Sequence, residues 1–291
     1  MKYEGAIYRP PSEAHSLILQ VAVGCSHNKC TFCGSFKGKK FRVKSFEEIK
    51  EDVEEAKAYA RHISKVFLAD GDALIIPQKR LLPIFELVKG AFPRLERIGI
   101  YGNVKSVLKK SVDELKALKE MGLGILYLGV ESGDQVTLDR VCKGTTLDKM
   151  EEASKKVKEA GIVLSVTVLL GLGGVERSKI HAEETGKFLS RIDPEYIGAL
   201  SIIVVPGTPL AHDLEQGTFQ IPDPYMLLEE LAIMIKNTNV THAFFASNHA
   251  SNYLPVKVWL PEDKDKALKA ITHVLNRKDP SLLRPEFLRA L

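Results

Sequence analysis

What most restricts the fold of this chain is a rhythm. Six short apolar runs alternate with amphipathic stretches between residues 17 and 205: Leu17 to Val23, Val66 to Ala69, Arg97 to Tyr101, Ile125 to Val130, Ile162 to Leu170 and Tyr196 to Val205. Each is close to a continuous hydrophobic run, as strands buried on both faces require, and that is the condition of a parallel sheet flanked by helices. Consecutive βα units joined by right-handed crossovers tend to be neighbours, so six of them predict an α/β fold, a partial (β/α)6 barrel of parallel strands. Ligands in such folds bind at the carboxyl ends of the strands, so the residues just after each run should converge on one site.

Helix signals fill the intervals. Ser45 with Glu48 forms a capping box ahead of Phe46, Ile49, Val53, Ala56, Ala60 and Ile63 at helical spacing. Ser111 with Glu114 opens a second helix carrying Leu115, Leu118 and Met121, which Gly122 stops, and Gly161 ends a third, Leu147 to Ala160, in the same way. After residue 210 the pattern weakens into a helix around Met226 to Lys236, a short run from Val240 to Ala246, a polar loop, and helices near Asp263 to Asn276 and at the C-terminus. The expectation is a barrel core over residues 1–210 and an extension over 211–291 that closes it as a short helical cap, not an independent domain. At 291 residues, 45% of them hydrophobic, the chain can bury one sizeable core. None of its apolar runs is of membrane-spanning length and the N-terminus does not read as a signal peptide, so a cytoplasmic location is expected. A net charge of +4, spread over presumptive helix faces, offers no argument for a nucleic-acid partner.

Cysteine use is more telling. Cys25, Cys30 and Cys33 fall directly after the first run, in Gly24-Cys25-Ser26-His27-Asn28-Lys29-Cys30-Thr31-Phe32-Cys33-Gly34, and only Cys142 lies elsewhere. Clustered thiols in an intracellular chain read as metal ligands and not as a disulfide framework. Structural zinc wants four ligands, and His27 stands too close to Cys25 to share one ion without straining the loop. Three thiolates on a four-iron cluster would instead leave one iron open to something other than protein.

With the aromatic Phe32 just before the third cysteine, the segment resembles the cluster loop of the radical S-adenosylmethionine (radical SAM) superfamily. It departs in having four residues, Ser26 to Lys29, in a first gap that usually holds three. The resemblance extends over residues 17–210, and the turn Val205-Pro206-Gly207-Thr208-Pro209-Leu210 is similar to that of coproporphyrinogen-oxidase-like and Elongator-type members. It implies a TIM-like partial barrel in which Cys25, Cys30 and Cys33 hold a [4Fe-4S] cluster beside Phe32. It further implies that strand-end residues bind S-adenosylmethionine (SAM). Asp70, Gly71 and Asp72 are similar to the element that holds the methionine amino group. Glu131 and Ser132 would bond the ribose, and Lys143 the methionine carboxylate. Thr167 would touch the ribose, Leu169 would pack on adenine, and Asn103 and Val205 would complete the pocket. Taken alone, Asp-Gly-Asp is also an ordinary turn sequence, and Lys143 an ordinary solvated lysine. The implied activity is reductive cleavage of SAM to a 5′-deoxyadenosyl radical that abstracts hydrogen from a substrate. The rival is a non-enzymatic iron–sulfur protein that carries electrons or clusters.

One spare cysteine cannot supply a second cluster, and the chain has no room for an added cobalamin- or RNA-binding module, so a small-molecule substrate is expected. Residues that could act on it are Cys142 as a hydrogen-atom donor, Tyr101 at the third strand end, and Asn248 and His249 in the polar segment Ser247 to Tyr253. The bland readings are a packing cysteine and a polar connection with local side-chain caps. Lys37, Lys39, Lys40, Arg42 and Lys44, just beyond the cysteines, could guide an acidic electron donor such as flavodoxin or ferredoxin, or form a solvated loop.

Overall fold

The computed structural model describes residues 1–290; Leu291, the last residue of the expected extension, lies outside them. The chain divides into two compact units, each assembled from segments that are not contiguous in sequence. Met1–Asn28, Ser35–Leu128 and Glu152–Leu164 make the first, and Lys29–Gly34, Gly129–Glu151 and the chain from Ser165 onward make the second. Among the described residues no helix is long and apolar enough to cross a membrane.

The first unit carries β1 (Leu17–Gln20), β2 (Ala22–Val23), β3 (Arg42–Val43), α1 (Phe46–Ala56), β4 (Lys65–Ala69), α2 (Gln78–Ala91), β5 (Arg97–Gly102), α3 (Val104–Leu108), α4 (Val112–Glu120) and most of β6 (Leu123–Glu131). The strands β1, β4, β5 and β6 pair in parallel in that order, as the buried apolar runs require. Strands β2 and β3 form a small antiparallel ladder of their own, so the cysteine segment leaves and re-enters through adjacent strands. Both capping boxes close: the Ser45 and Glu48 amides each bond the other residue's side chain, and Ser111 and Glu114 do the same. The stripe expected through Ile63 is α-helical only to Ala56, because Lys57–His62 tightens into a 3-10 turn that buries none of its residues. The strands' apolar faces close on Ile18, Phe67, Ala69, Ile125 and Tyr127. Full burial of a side chain the size of Ile or Phe contributes about 1.5–3 kcal/mol.

The second unit holds the end of β6, α5 (Gln135–Arg140), the start of α6 (Leu147–Glu159), most of β7 (Val163–Leu170), α7 (Gly174–Ile192), β8 (Tyr196–Ser201), α8 (Pro209–Glu215), α9 (Pro224–Asn237), β9 (Ala243–Ala246), β10 (Lys257–Leu260) and α10 (Lys264–Arg277). Strands β7, β8 and β9 are parallel in chain order, and β10 turns back antiparallel on β9. Two strands therefore follow the six that were expected. The run Val240 to Ala246 supplies β9, while β10 alternates exposed and buried residues, the pattern of a half-solvated strand that a search for continuous apolar runs passes over. The sixth run stops being a strand at Ser201, and its remainder leads irregularly toward Pro206, which has no N–H to give to a ladder.

Candidate functional site

In the first unit, Gly24 leaves β2 with φ +76 and gives its amide to Asp70 Oδ2 at 3.0 Å. Asp70 follows β4 and is fully buried. Its Oδ2 also accepts from Lys39 Nζ at 2.6 Å, whereas its Oδ1 accepts no hydrogen bond. Asp72, equally buried, is the opposite case. It accepts from Ser26 Oγ, from the Asn103 amide and Nδ2, and from Ser106 Oγ, and burial pushes its carboxyl up. Asn103 in turn caps α3 by accepting from the Ser106 amide at 2.8 Å. Gly71 must be glycine, since a Cβ there would stand 2.6 Å from the Phe36 ring and 3.1 Å from Cys25 Cβ. Thus Cys25, Asp70, Gly71, Asp72 and Asn103 lie near one another in the first unit. Tyr101 packs edge-on against Phe67 at 4.8 Å, and burial, with Tyr127 and the Asp70 charge adding to it, drives its hydroxyl above the usual tyrosine range.

Inside the first cysteine gap, Asn28 adopts a left-handed backbone (φ +44) and donates Nδ2 to the Phe36 carbonyl at 2.9 Å. Asparagine tolerates that conformation better than most side chains.

In the second unit, the Thr31 amide donates to the Val141 carbonyl at 2.9 Å, and the Thr31 carbonyl accepts from the Leu210 amide at 3.1 Å. These bonds fasten the Cys30–Cys33 stretch to the end of α5 and the start of α8. Phe32 packs against the core of Val141, Leu172, Ile202 and Leu210, as does Leu169. A Cβ on Gly34 would come within 2.6 Å of Val205, so Val205 abuts the close of the cysteine segment. Thr167 and Leu169 share the half-buried face of β7.

At the end of β6, Glu131 has a left-handed backbone (φ +65), and its carboxylate pairs with Lys143 Nζ at 2.8 Å in largely buried surroundings. Ser132 is fully buried, and its hydroxyl lies 2.8 Å from His181 Nδ1 while accepting from the Asp134 amide at 2.9 Å. His181 Nε2 stands 2.9 Å from the Leu169 carbonyl, which can only accept. Nε2 therefore carries the imidazole proton, Nδ1 accepts, and Ser132 is the donor to it. Burial holds His181 down to about 4, so it stays neutral. The single proton of Ser132, expected to meet a ribose, is committed to His181.

The residues around His181 were not anticipated. Arg177 forks onto Asp134 at 2.8 and 2.9 Å, and against the opposing effect of burial it keeps that carboxyl below its ordinary range. Glu230, wholly buried on α9, accepts from the Gly171 amide at 2.7 Å, has no partner on Oε1, and is pushed up to about 7 by burial. The readable signal was a His and a Glu on the apolar faces of α7 and α9, where polar residues need a reason.

Elsewhere the outcomes are mixed. Cys142 is exposed with φ +53. In the segment Ser247 to Tyr253, His249 Nδ1 bonds Ser251, Asn252 bonds Ser201 and the Ala199 carbonyl, and Arg284 holds the His249 carbonyl, so much of its polarity is satisfied locally. Asn248 and His249 are half-buried. The basic stretch is not a bare patch: Lys39 pairs with Asp70, Arg42 with Glu4 and Glu48, and buried Lys44 with Asp52, which leaves Lys37 and Lys40 exposed.

Residues 19–184 match the family described as Radical SAM superfamily, and the chain belongs to it. An uncharacterized protein of Methanocaldococcus jannaschii is 24% identical over 258 residues, which cover 79% of this chain and 77% of that one. The anaerobic magnesium-protoporphyrin IX monomethyl ester cyclase of Cereibacter sphaeroides is 27% identical over 216 residues, 74% of this chain but 34% of the cyclase. Among solved structures, methylornithine synthase superposes with a TM-score of 0.55 at 20% identity, over 77% of this chain and 63% of its own. The chain thus spans about a third of the cyclase's length and under two thirds of the synthase's. The expected α/β, TIM-barrel-like fold is the fold found. The protein is an enzyme of a superfamily whose members bind a [4Fe-4S] cluster and SAM.

Proposed function

We propose that this enzyme reductively cleaves SAM and uses the 5′-deoxyadenosyl radical to take hydrogen from a small-molecule substrate. The observation that carries the reading is Asp70 Oδ1, a buried carboxylate oxygen without a partner just past a parallel strand, in the unit that holds Cys25. Buried polar atoms are almost always satisfied, so a bare carboxylate oxygen marks where a cationic donor belongs, and the ammonium of a methionine moiety is one. Asp72, with its oxygens already bonded, fixes the turn instead. Asn28 Oδ1 and Thr31 Oγ1, both on the cysteine segment, are likewise buried without partners.

Three cysteine thiolates are the donor type a four-iron cluster takes. Cys25, Cys30 and Cys33 would each ligate a different iron, so their thiolates need not meet at one point. Among the described residues no three His, Cys, Asp or Glu side chains group around a single ion. When bound, the cluster supplies the electron for carbon–sulfur cleavage and an iron open to the methionine end of SAM. Asp70 would accept from the ammonium, Lys143 would turn from Glu131 toward the methionine carboxylate, and Glu131 would take the ribose hydroxyls. Thr167 adds a ribose contact, Leu169 packs on adenine, and Gly71, Asn103, Phe32 and Val205 shape the walls. Tyr101, half-buried and near the Asp70 charge, is the first of the substrate-side candidates; Cys142, Asn248 and His249 are the others. The reducing electron comes from a donor such as flavodoxin or ferredoxin, and reduced thiols suit a cytoplasmic location.

Anaerobic reconstitution with iron and sulfide, followed by SAM and dithionite, should release 5′-deoxyadenosine detectable by mass spectrometry. Protein that loads its cluster fully and leaves SAM intact overturns the reading in favour of a carrier.

A further inference from the structure

The two ends of the cysteine segment converge on a single atom. Asp70 Oδ2 receives the Gly24 amide at 3.0 Å, from the residue before Cys25, and Lys39 Nζ at 2.6 Å, from beyond Cys33. The pair is desolvated, with the Lys39 side chain 10% exposed and that of Asp70 not at all. Lys39 is held from other sides too. Its ammonium donates to the Ala6 carbonyl at 2.5 Å and lies 5.7 Å from the Phe36 ring centre. Its stem occupies the space over Gly24, where an added Cβ would meet Lys39 Cβ at 3.3 Å. A surface lysine would need none of these, and charge-assisted bonds in a low-dielectric setting are the strong ones.

We propose that Lys39 and Asp70 form a clasp that sets the span of the cysteine segment, so that Lys39 is a positioning residue for cluster assembly. This inference rests on the cluster-binding role of Cys25, Cys30 and Cys33. Three thiolates must meet one rigid inorganic group at the same time, and every loop conformation with the wrong sulfur spacing lowers the population competent to bind. Tying both ends of the loop to one carboxylate oxygen removes most of those conformations before the cluster arrives. Lys39 acts through Asp70 and Gly24, without being a cluster ligand itself.

The test compares the full chain with Lys39→Met, which keeps the stem and loses the donor, and Lys39→Arg, which keeps charge and donor. Hydrogen–deuterium exchange on cluster-free protein reads the clasp itself. The Gly24 amide and segment 24–39 should exchange about tenfold faster in Lys39→Met, from loss of one charge-assisted bond, and return toward the parental rate in Lys39→Arg. On protein loaded with iron and sulfide, transfer of iron to a chelator should accelerate by a similar factor of about ten in Lys39→Met and be rescued by Lys39→Arg. Unchanged exchange in Lys39→Met overturns the clasp whatever the cluster does. Faster exchange with parental iron retention overturns the positioning role. Faster exchange in a parental protein that never takes up iron and sulfide supports the clasp and sinks the cluster reading instead. If Lys39→Met loses its cooperative melt, Lys39→Gln, with a neutral donor of similar reach, carries both measurements.

Discussion

Ser132 and His181 share a 2.8 Å hydrogen bond in which the serine donates and the imidazole accepts, a direction fixed by the Leu169 carbonyl on the far side of the ring. The imidazole thereby ties the end of β6 to the end of β7. His181→Phe keeps a ring of similar size and strands both partners, so stability should fall by about 2–4 kcal/mol. In the loaded enzyme, KM for SAM should rise more than kcat falls, because the damage is to the wall of the pocket. Urea denaturation and steady-state kinetics check the two halves separately.

Glu131 and Lys143 pair with each other at 2.8 Å, and on the function proposed above SAM would redirect both. Lys143→Met leaves the largely buried Glu131 carboxylate unpaired, so it should cost stability, about 2–3 kcal/mol, and weaken SAM binding by about tenfold or more through loss of a carboxylate partner. Equilibrium dialysis against cluster-loaded protein measures the binding term. Parental affinity in Lys143→Met would show that this lysine serves the fold alone.

Glu230 sets a pH dependence. Its folded value of about 7 lies above the usual 4.5, so the native state favours the protonated form. The stability it lends is present below 4.5 and lost as pH rises through 7, about 3 kcal/mol across that window. His181, held down to about 4, works the other way and loses its contribution as pH falls from 6.5. Because the two windows overlap, the comparison to make is with Glu230→Gln. The parental melting temperature should decline more steeply than that of the variant between pH 5 and pH 8, and parallel declines would contradict this assignment.

The cysteines should separate cleanly. Cys25→Ala, Cys30→Ala and Cys33→Ala should each lose the visible absorption of the reconstituted cluster and all 5′-deoxyadenosine formation, whereas exposed Cys142→Ala should keep its iron content. Full iron loading in any of the first three would remove that residue from the ligand set. A Cys142→Ala protein that forms 5′-deoxyadenosine but no product would mark the thiol as a hydrogen donor.

Much of this molecule was legible because hydrophobic pattern reports which face of an element is buried. The six runs follow from it, the boxes at Ser45 and Ser111 follow from a serine set three residues before a glutamate, and the association of Asp70, Gly71, Asp72 and Asn103 with the cysteines was implied only by the family resemblance. Pattern does not report which polar atoms meet across long separations. Glu230 reaches an amide 59 residues away, His181 a serine 49 away, and Lys39 a carboxylate 31 away. For the same reason the lysines after the cysteines read as a surface charge run, although three of the five basic side chains are consumed by internal pairs. Strand β10 escaped because only alternate residues are apolar.

The left-handed backbone at Asn28 bears on how such chains are recognised. A left-handed residue between the first two thiols would let the loop take up an additional residue while its length in sequence drifts. Selection would then act on distances between sulfurs, and a scan that insists on a fixed count of intervening letters would discard sequences built on the same chemistry.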